Sequence, residues 1–103
     1  MTRRFVIAVD GLDESENDRL RGYLESRGQW WNWISNFWLF VTDDPTVAAE
    51  DLRDYVGSIN NLARSIILEF DEDVTWAGKG PHRNEKDMFR WLHTAWSKES
   101  VSG

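Results

Sequence analysis

Tryptophans 30, 31, 33 and 38, with Phe37 and Phe40 beside them, are the side chains whose type and spacing could do most chemistry. Their π faces can stack on nucleobases, on cations or on one another, and their bulk can seal an interface. Titratable candidates are sparser. His82 and His93 have no carboxylate pair nearby at metal-ligand spacing, so they read as surface or helix-edge histidines. Gly78-Lys79-Gly80 lacks the spacing and the strand-to-helix setting of a phosphate loop. Asp71-Glu72-Asp73 offers hard oxygens, yet a short acidic run of this kind is ordinarily a solvated turn. The absence of cysteine excludes disulfides and thiolate chemistry and makes a reducing cytoplasm the expected setting.

The 103 residues suffice for one domain with a modest core. Residues 1–73 carry 7 basic and 15 acidic side chains and residues 74–103 carry 5 and 3, balances of −8 and +2. An acidic body disfavours sequence-independent binding to phosphate backbones, and the mildly basic tail reads as a solvated helix face. No apolar run approaches the roughly 18 residues of a membrane span. The start, Met-Thr-Arg-Arg-Phe-Val-Ile, reads as a strand rather than a signal peptide.

These side chains must be positioned by the elements around them. Arg4 to Val9 forms a strand ended by the turn pair Asp10-Gly11. Asp13, with Glu16 three residues on, caps a helix over about 14–27, with Gly28 at the position of a C′ glycine. The aromatic segment supplies strands over about 30–34 and 37–41, joined through Ser35-Asn36, where Asn tolerates positive φ. Asp44-Pro45 starts a second helix whose apolar stripe is Ala48, Leu52, Tyr55, Val56 and Ile59. Ser65 to Phe70 is a fourth strand. After a loop containing Trp76-Ala-Gly78, a third helix runs from about Asn84 to Ser97, with Met88, Trp91, Leu92, Ala95 and Trp96 on its apolar side. The order β-α-β-β-α-β predicts an α+β, ferredoxin-like split βαβ fold, with two helices on one face of a four-stranded antiparallel sheet. Residues 1–80 form that core, and 81–103 extend the same domain.

A half-buried strand needs apolar residues on one face, but this hairpin is apolar on both. With Ser35-Asn36 as the turn, Trp31, Trp33, Trp38 and Phe40 share one face, and Trp30, Asn32, Ile34, Phe37, Leu39 and Val41 the other. In the outer strands, Phe5, Ile7 and Val9 match Ile66, Leu68 and Phe70 as helix-facing sets. The aliphatic-rich hairpin face fits the helix-packed core, which leaves Trp31, Trp33, Trp38 and Phe40 on the open face. One inserted residue would reverse that assignment. Three occupants fit an aromatic open face: the chain's own third helix through Trp91 and Trp96, a second copy, or single-stranded bases. Val6 and Ala8, standing where base stacking wants an aromatic, weigh against the last.

The segment Gly28-Gln-Trp-Trp-Asn-Trp-Ile-Ser-Asn-Phe-Trp-Leu-Phe-Val-Thr42, after a first strand ending in Asp10, resembles small bacterial proteins labelled SinR-like. Trp76-Ala-Gly78 resembles the Trp-x-Gly that follows their fourth strand, and the similarity spans roughly residues 4–80. The SinR-like group is placed by fold with the CRISPR-associated protein two family, the VapD toxins and the GhoS antitoxin. The resemblance implies a compact ferredoxin-like homodimer in a defence or toxin–antitoxin setting. It also implies a role for Asp10, since an Asp ending the first strand of the CRISPR-associated relatives can bind a divalent metal at the dimer axis.

A Mg²⁺-dependent endonuclease would take oxygen ligands from Asp10 of both subunits, with Asp13 and Glu69 nearby and Arg3 or Arg19 facing phosphate. The competing reading of Asp10 is an ordinary turn residue before Gly11. The expectation is therefore a homodimeric interaction module without catalysis. Its interface is built from Trp31, Trp33, Trp38, Phe40, Trp91 and Trp96. A metal-dependent nuclease and a single-strand binder stacking bases on Trp31, Trp33 and Trp38 are the alternatives.

Overall fold

The computed structural model describes residues 2–70, 77, 79, 80, 82, 83, 86, 87 and 89–96. Strand β1 (Arg3–Asp10) leads through the Asp10-Gly11 turn, with Gly11 at φ 100°, into helix α1 (Glu14–Arg27). Strands β2 (Gln29–Ile34) and β3 (Phe37–Thr42) follow, then helix α2 (Ala49–Ile59) and strand β4 (Arg64–Phe70). The four strands form one antiparallel sheet in the order β2-β3-β1-β4, an α+β arrangement consistent with a ferredoxin-like type of fold.

Local chemistry explains the starts and stops. Asp13 accepts the Glu16 N–H at 2.8 Å while the Glu16 carboxylate accepts the Asp13 N–H at 3.0 Å, a complete capping box. At the far end, Gly28 is extended at φ 177°, not left-handed as a C′ glycine would be. Its requirement is steric: a Cβ there would stand 2.1 Å from the Val41 carbonyl oxygen, because the helix turns straight into the hairpin. Asn36 takes φ 66° in the hairpin turn, as its side chain tolerates.

Helix α2 begins later than Asp44-Pro45 suggested. Asp44 instead holds a local turn, its Oδ1 accepting the Thr46 N–H at 2.9 Å and the Thr46 hydroxyl at 2.6 Å. The helix starts at Ala49, where Asp51 reaches back to the Ala48 N–H at 2.8 Å. Of its stripe, Leu52, Val56 and Ile59 are buried.

Helices α1 and α2 cover one face of the sheet. Between them and the strands lies a core of Phe5, Ile7, Val9, Leu20, Leu24, Trp38, Phe40, Leu52 and Val56. Tyr23 of α1 stacks on Tyr55 of α2 with ring centroids 3.9 Å apart, joining the helices on their outer side.

The opposite face is partly covered by the chain's own C-terminal stretch. The expected helix from Asn84 does not begin there. His82–Arg83 (β5) pairs with Lys86–Asp87 (β6) as a short antiparallel hairpin, and helical structure starts only at Arg90. The apolar stripe begins at Met88, so nothing upstream of it could fasten a helix to the sheet. The helical stretch widens into a π-helical turn, Leu92–Trp96. Leu92 and Trp96 pack with Trp31 and Leu39 into a second core, flanked by Val6, Phe37, Phe70, Phe89 and Trp91. Arg4 is buried beneath it, its Nε donating to the Trp96 carbonyl oxygen at 2.5 Å. Asp71-Glu72-Asp73, Trp76, Gly78, Met88 and the expected helix end at Ser97 lie outside the described residues, as do the side chains of His82 and His93.

Candidate interaction surface and the Asp10 corner

The hairpin positions the aromatics through a bulge. Gln29, Trp30 and Trp31 lie opposite Val41, Phe40 and Leu39, whereas Ile34 lies opposite Phe37, so β2 carries one residue more than β3 between Trp31 and Ile34. The Asn32 side-chain amide fills the gap, donating to the Ile34 and Phe37 carbonyls at 3.0 and 2.8 Å. This inserted residue separates side chains that simple alternation places together. Trp31 stays on the open face, while Trp38 and Phe40 turn beneath the helices.

That corrects the expected assignment of Trp38 and Phe40. Both are fully buried in the helix-side core and have no surface left to offer a second copy. Trp38 meets Trp30 edge-on at 5.6 Å, and the Arg21 guanidinium lies 5.5 Å from the Trp30 ring and 6.0 Å from that of Trp38. Among the described residues, the Trp38 indole N–H has no hydrogen-bond partner. Trp33 sits within the bulge, 46 % exposed.

The outer strand is also reversed. Ala8 lies opposite Ile66 and Val6 opposite Leu68, so Ile66, Leu68 and Phe70 share the open face, while Ile67 packs toward the helix-side core. The run Ser65-Ile-Ile-Leu68 has no alternation to signal which side faces in.

Combining the three registers gives continuous rows across the open face. One row runs Ile34, Phe37, Ala8, Ile66 and the next Trp31, Leu39, Val6, Leu68. The π turn packs on the middle of this surface through Trp31, Leu39, Val6 and Phe37. Its two sides stay open, with Ile34 51 %, Ile66 60 % and Leu68 48 % exposed. Trp91 and Trp96 thus serve this chain's own cover, joined at a centroid distance of 6.2 Å, with Phe70 edge-on to Trp96 at 6.4 Å.

The Asp10 corner is polar and exposed. Asp10 Oδ2 accepts from Arg64 Nη2 at 2.7 Å, and the carboxylate's hydrogen bond and charge raise the Arg64 pKa further. The acids expected beside it are engaged elsewhere. Asp13 caps α1, and its pKa is lowered chiefly by the Glu16 N–H and then by the Ser15 hydroxyl. Glu69 lies opposite Phe5, five residues along β1 from Asp10, about 16 Å at the rise of a strand. Its carboxylate takes two bonds from Arg3, at 2.9 and 3.1 Å, and Arg3 also donates to the Val47 carbonyl. Arg3 therefore ties β1 to β4 and to the approach to α2. Among the described residues no group of three His, Asp or Glu side chains is placed to hold a metal ion.

Two open clefts flank the sheet. One of about 370 Å³ lies between the end of α1, the end of β3 and the π turn, lined by Arg27, Asp43, Asp44 and Thr94 among others. The other, about 360 Å³, lies between α2 and β4 and is lined by Glu50, Arg53, Ser65, Ile66 and Ile67. Among the described residues, no helix is long and apolar enough to cross a membrane.

No protein-family model matches the chain, and no match is found among curated proteins. Among solved structures it is similar to a hypothetical protein, TT1823 from Thermus thermophilus, at TM-score 0.52 and 23 % identity, over 79 % of this chain and 96 % of that one. At that identity the likeness is one of fold alone.

Proposed function

We propose that the protein is a small cytoplasmic interaction module that acts as a homodimer and carries no catalytic centre. On this reading the βαββαβ course is a ferredoxin-like scaffold of the SinR-like kind. The observation that carries the proposal is the apolar surface left beside the π turn, with Ile34, Ile66 and Leu68 each about half exposed or more on one face of the sheet. Ile66 and Leu68 are next to each other on the open face of the edge strand β4, and apolar exposure of this kind on a small domain marks a contact with another macromolecule. Among the described residues, the acids expected to share a metal site each have a partner within the chain: Asp10 pairs with Arg64, Glu69 with Arg3, and Asp13 caps the start of α1. The acidic balance of the chain weighs against a phosphate-backbone partner.

The competing reading makes a direct prediction about Asp10. A metal-dependent nuclease must cleave RNA or duplex DNA with Mg²⁺ and lose that activity in Asp10→Asn. The interaction module shows no Mg²⁺-dependent cleavage in either form, and cleavage abolished by Asp10→Asn would replace it with the nuclease.

A further inference from the structure

We infer that the two copies join through the outer edge of β4, paired antiparallel about a two-fold axis at Ile67, an inference that rests on the homodimer reading above. The sheet's two edges differ. β2 is bulged between Trp31 and Ile34, and a bulge is one of the devices that spoil an edge for a further strand. β4 is not bulged: its residues pair with β1 from Arg64 to Phe70 without a register shift. No Lys, Pro or Gly stands among them to blunt the edge. Among the described residues no strand pairs with its outer side. A straight edge whose charges, Arg64 and Glu69, stand only toward its two ends leaves its middle as a template for another strand.

The strand is complementary to itself in this register. Antiparallel pairing centred on Ile67 sets Ile66 opposite the partner's Leu68, and Leu68 opposite the partner's Ile66. The two most exposed apolar residues of the strand then cover each other. Both open-face rows continue unbroken into the second copy, and both pairs of helices stay on the other side. A slip of one residue would set one copy's helices against the other's open face, and a slip of two would leave strand ends unpaired. On the helix side, the uncharged Ser65 meets the partner's Glu69 beside the cleft lined by Glu50 and Arg53. Arg64 and Glu69 are the only charges within β4 and they cancel, so the seam is spared the repulsion that a chain of net charge −6 otherwise feels.

The chain contains no cysteine, which makes the test clean. Ile67→Cys places one thiol on the axis, where directly opposed residues have Cα atoms about 4.5–5.5 Å apart, within disulfide range. Mild oxidation should convert Ile67→Cys to a covalent dimer, while Trp33→Cys, at the other edge of the sheet, stays uncrosslinked. Leu68→Lys, half exposed and tolerated by the fold, should weaken association at least tenfold with an unchanged circular-dichroism spectrum. A dimer that crosslinks through Trp33→Cys, or one that neither crosslinks at Ile67→Cys nor weakens in Leu68→Lys, overturns the seam and leaves the homodimer standing. A wild-type chain that is monomeric at micromolar concentration overturns both.

Discussion

Gly28 and Trp38 show how far single residues carry the architecture. At Gly28 the constraint is a close approach, since any side chain must push against the backbone of β3. Gly28→Ala should therefore cost about 2–4 kcal/mol in urea unfolding, the scale of a buried steric conflict. A loss below about 0.5 kcal/mol would show that the hairpin does not press on the end of α1. Trp38 combines full burial with an indole N–H that has no partner among the described residues. Trp38→Phe leaves a small void but removes the desolvated donor, and the two effects oppose each other at about 1–3 kcal/mol each. The net loss should stay under about 1 kcal/mol, whereas Phe40→Ala, with no such relief, should lose about 3–5 kcal/mol. Equal losses in the two variants would mean that the indole nitrogen is satisfied in solution.

At the scale of elements, the caps make stability sensitive to acid. Asp13 is held below its ordinary value of 3.8, first by the Glu16 N–H and then by the Ser15 hydroxyl. Asp44 is shifted the same way, by the Thr46 hydroxyl and then its N–H. A carboxylate whose folded pKa is depressed contributes stability above its unfolded value and loses it as pH falls through the folded one. The thermal midpoint should therefore drop as pH is lowered below about 3.8, and Asp13→Asn, which keeps a capping oxygen but cannot titrate, should flatten that slope. An unchanged slope would mean that the box is open in solution. The cap of α1 was legible because Asp13 and Glu16 sit at fixed spacing before a polar helix that spaces Leu20 and Leu24 one turn apart. The hairpin turn was legible for a similar local reason, in Asn36. What escaped the sequence was the sheet's sidedness. It depends on which face of β3 lies beside Phe5 and Ile7, on one residue inserted between Trp31 and Ile34, and on an unalternating run in β4, none of which leaves a periodic signal. The start of α2 was misplaced because Asp44-Pro45 satisfies the chemistry of a turn as well as that of a cap.

For the whole molecule, the C-terminal turn and the second copy are complementary answers to one problem. An open sheet face is apolar on every strand, and the π turn covers its middle through Leu92 and Trp96. Two sides remain, Ile34 at one and Ile66 and Leu68 at the other, and the homodimer is proposed to use the second. Of the residues expected to build an interface, Trp31, Trp91 and Trp96 belong to this internal cover, Trp38 and Phe40 to the helix-side core, and Trp33 alone is exposed. The interface thus shifts from the tryptophans to the aliphatic residues of β4, a strand with no aromatic on the exposed stretch to draw attention to it. Sedimentation equilibrium of the wild-type chain at micromolar concentration decides whether two copies associate. A species of twice the 12.1 kDa chain mass is expected, and a single-chain mass across the whole concentration range would rule the homodimer out.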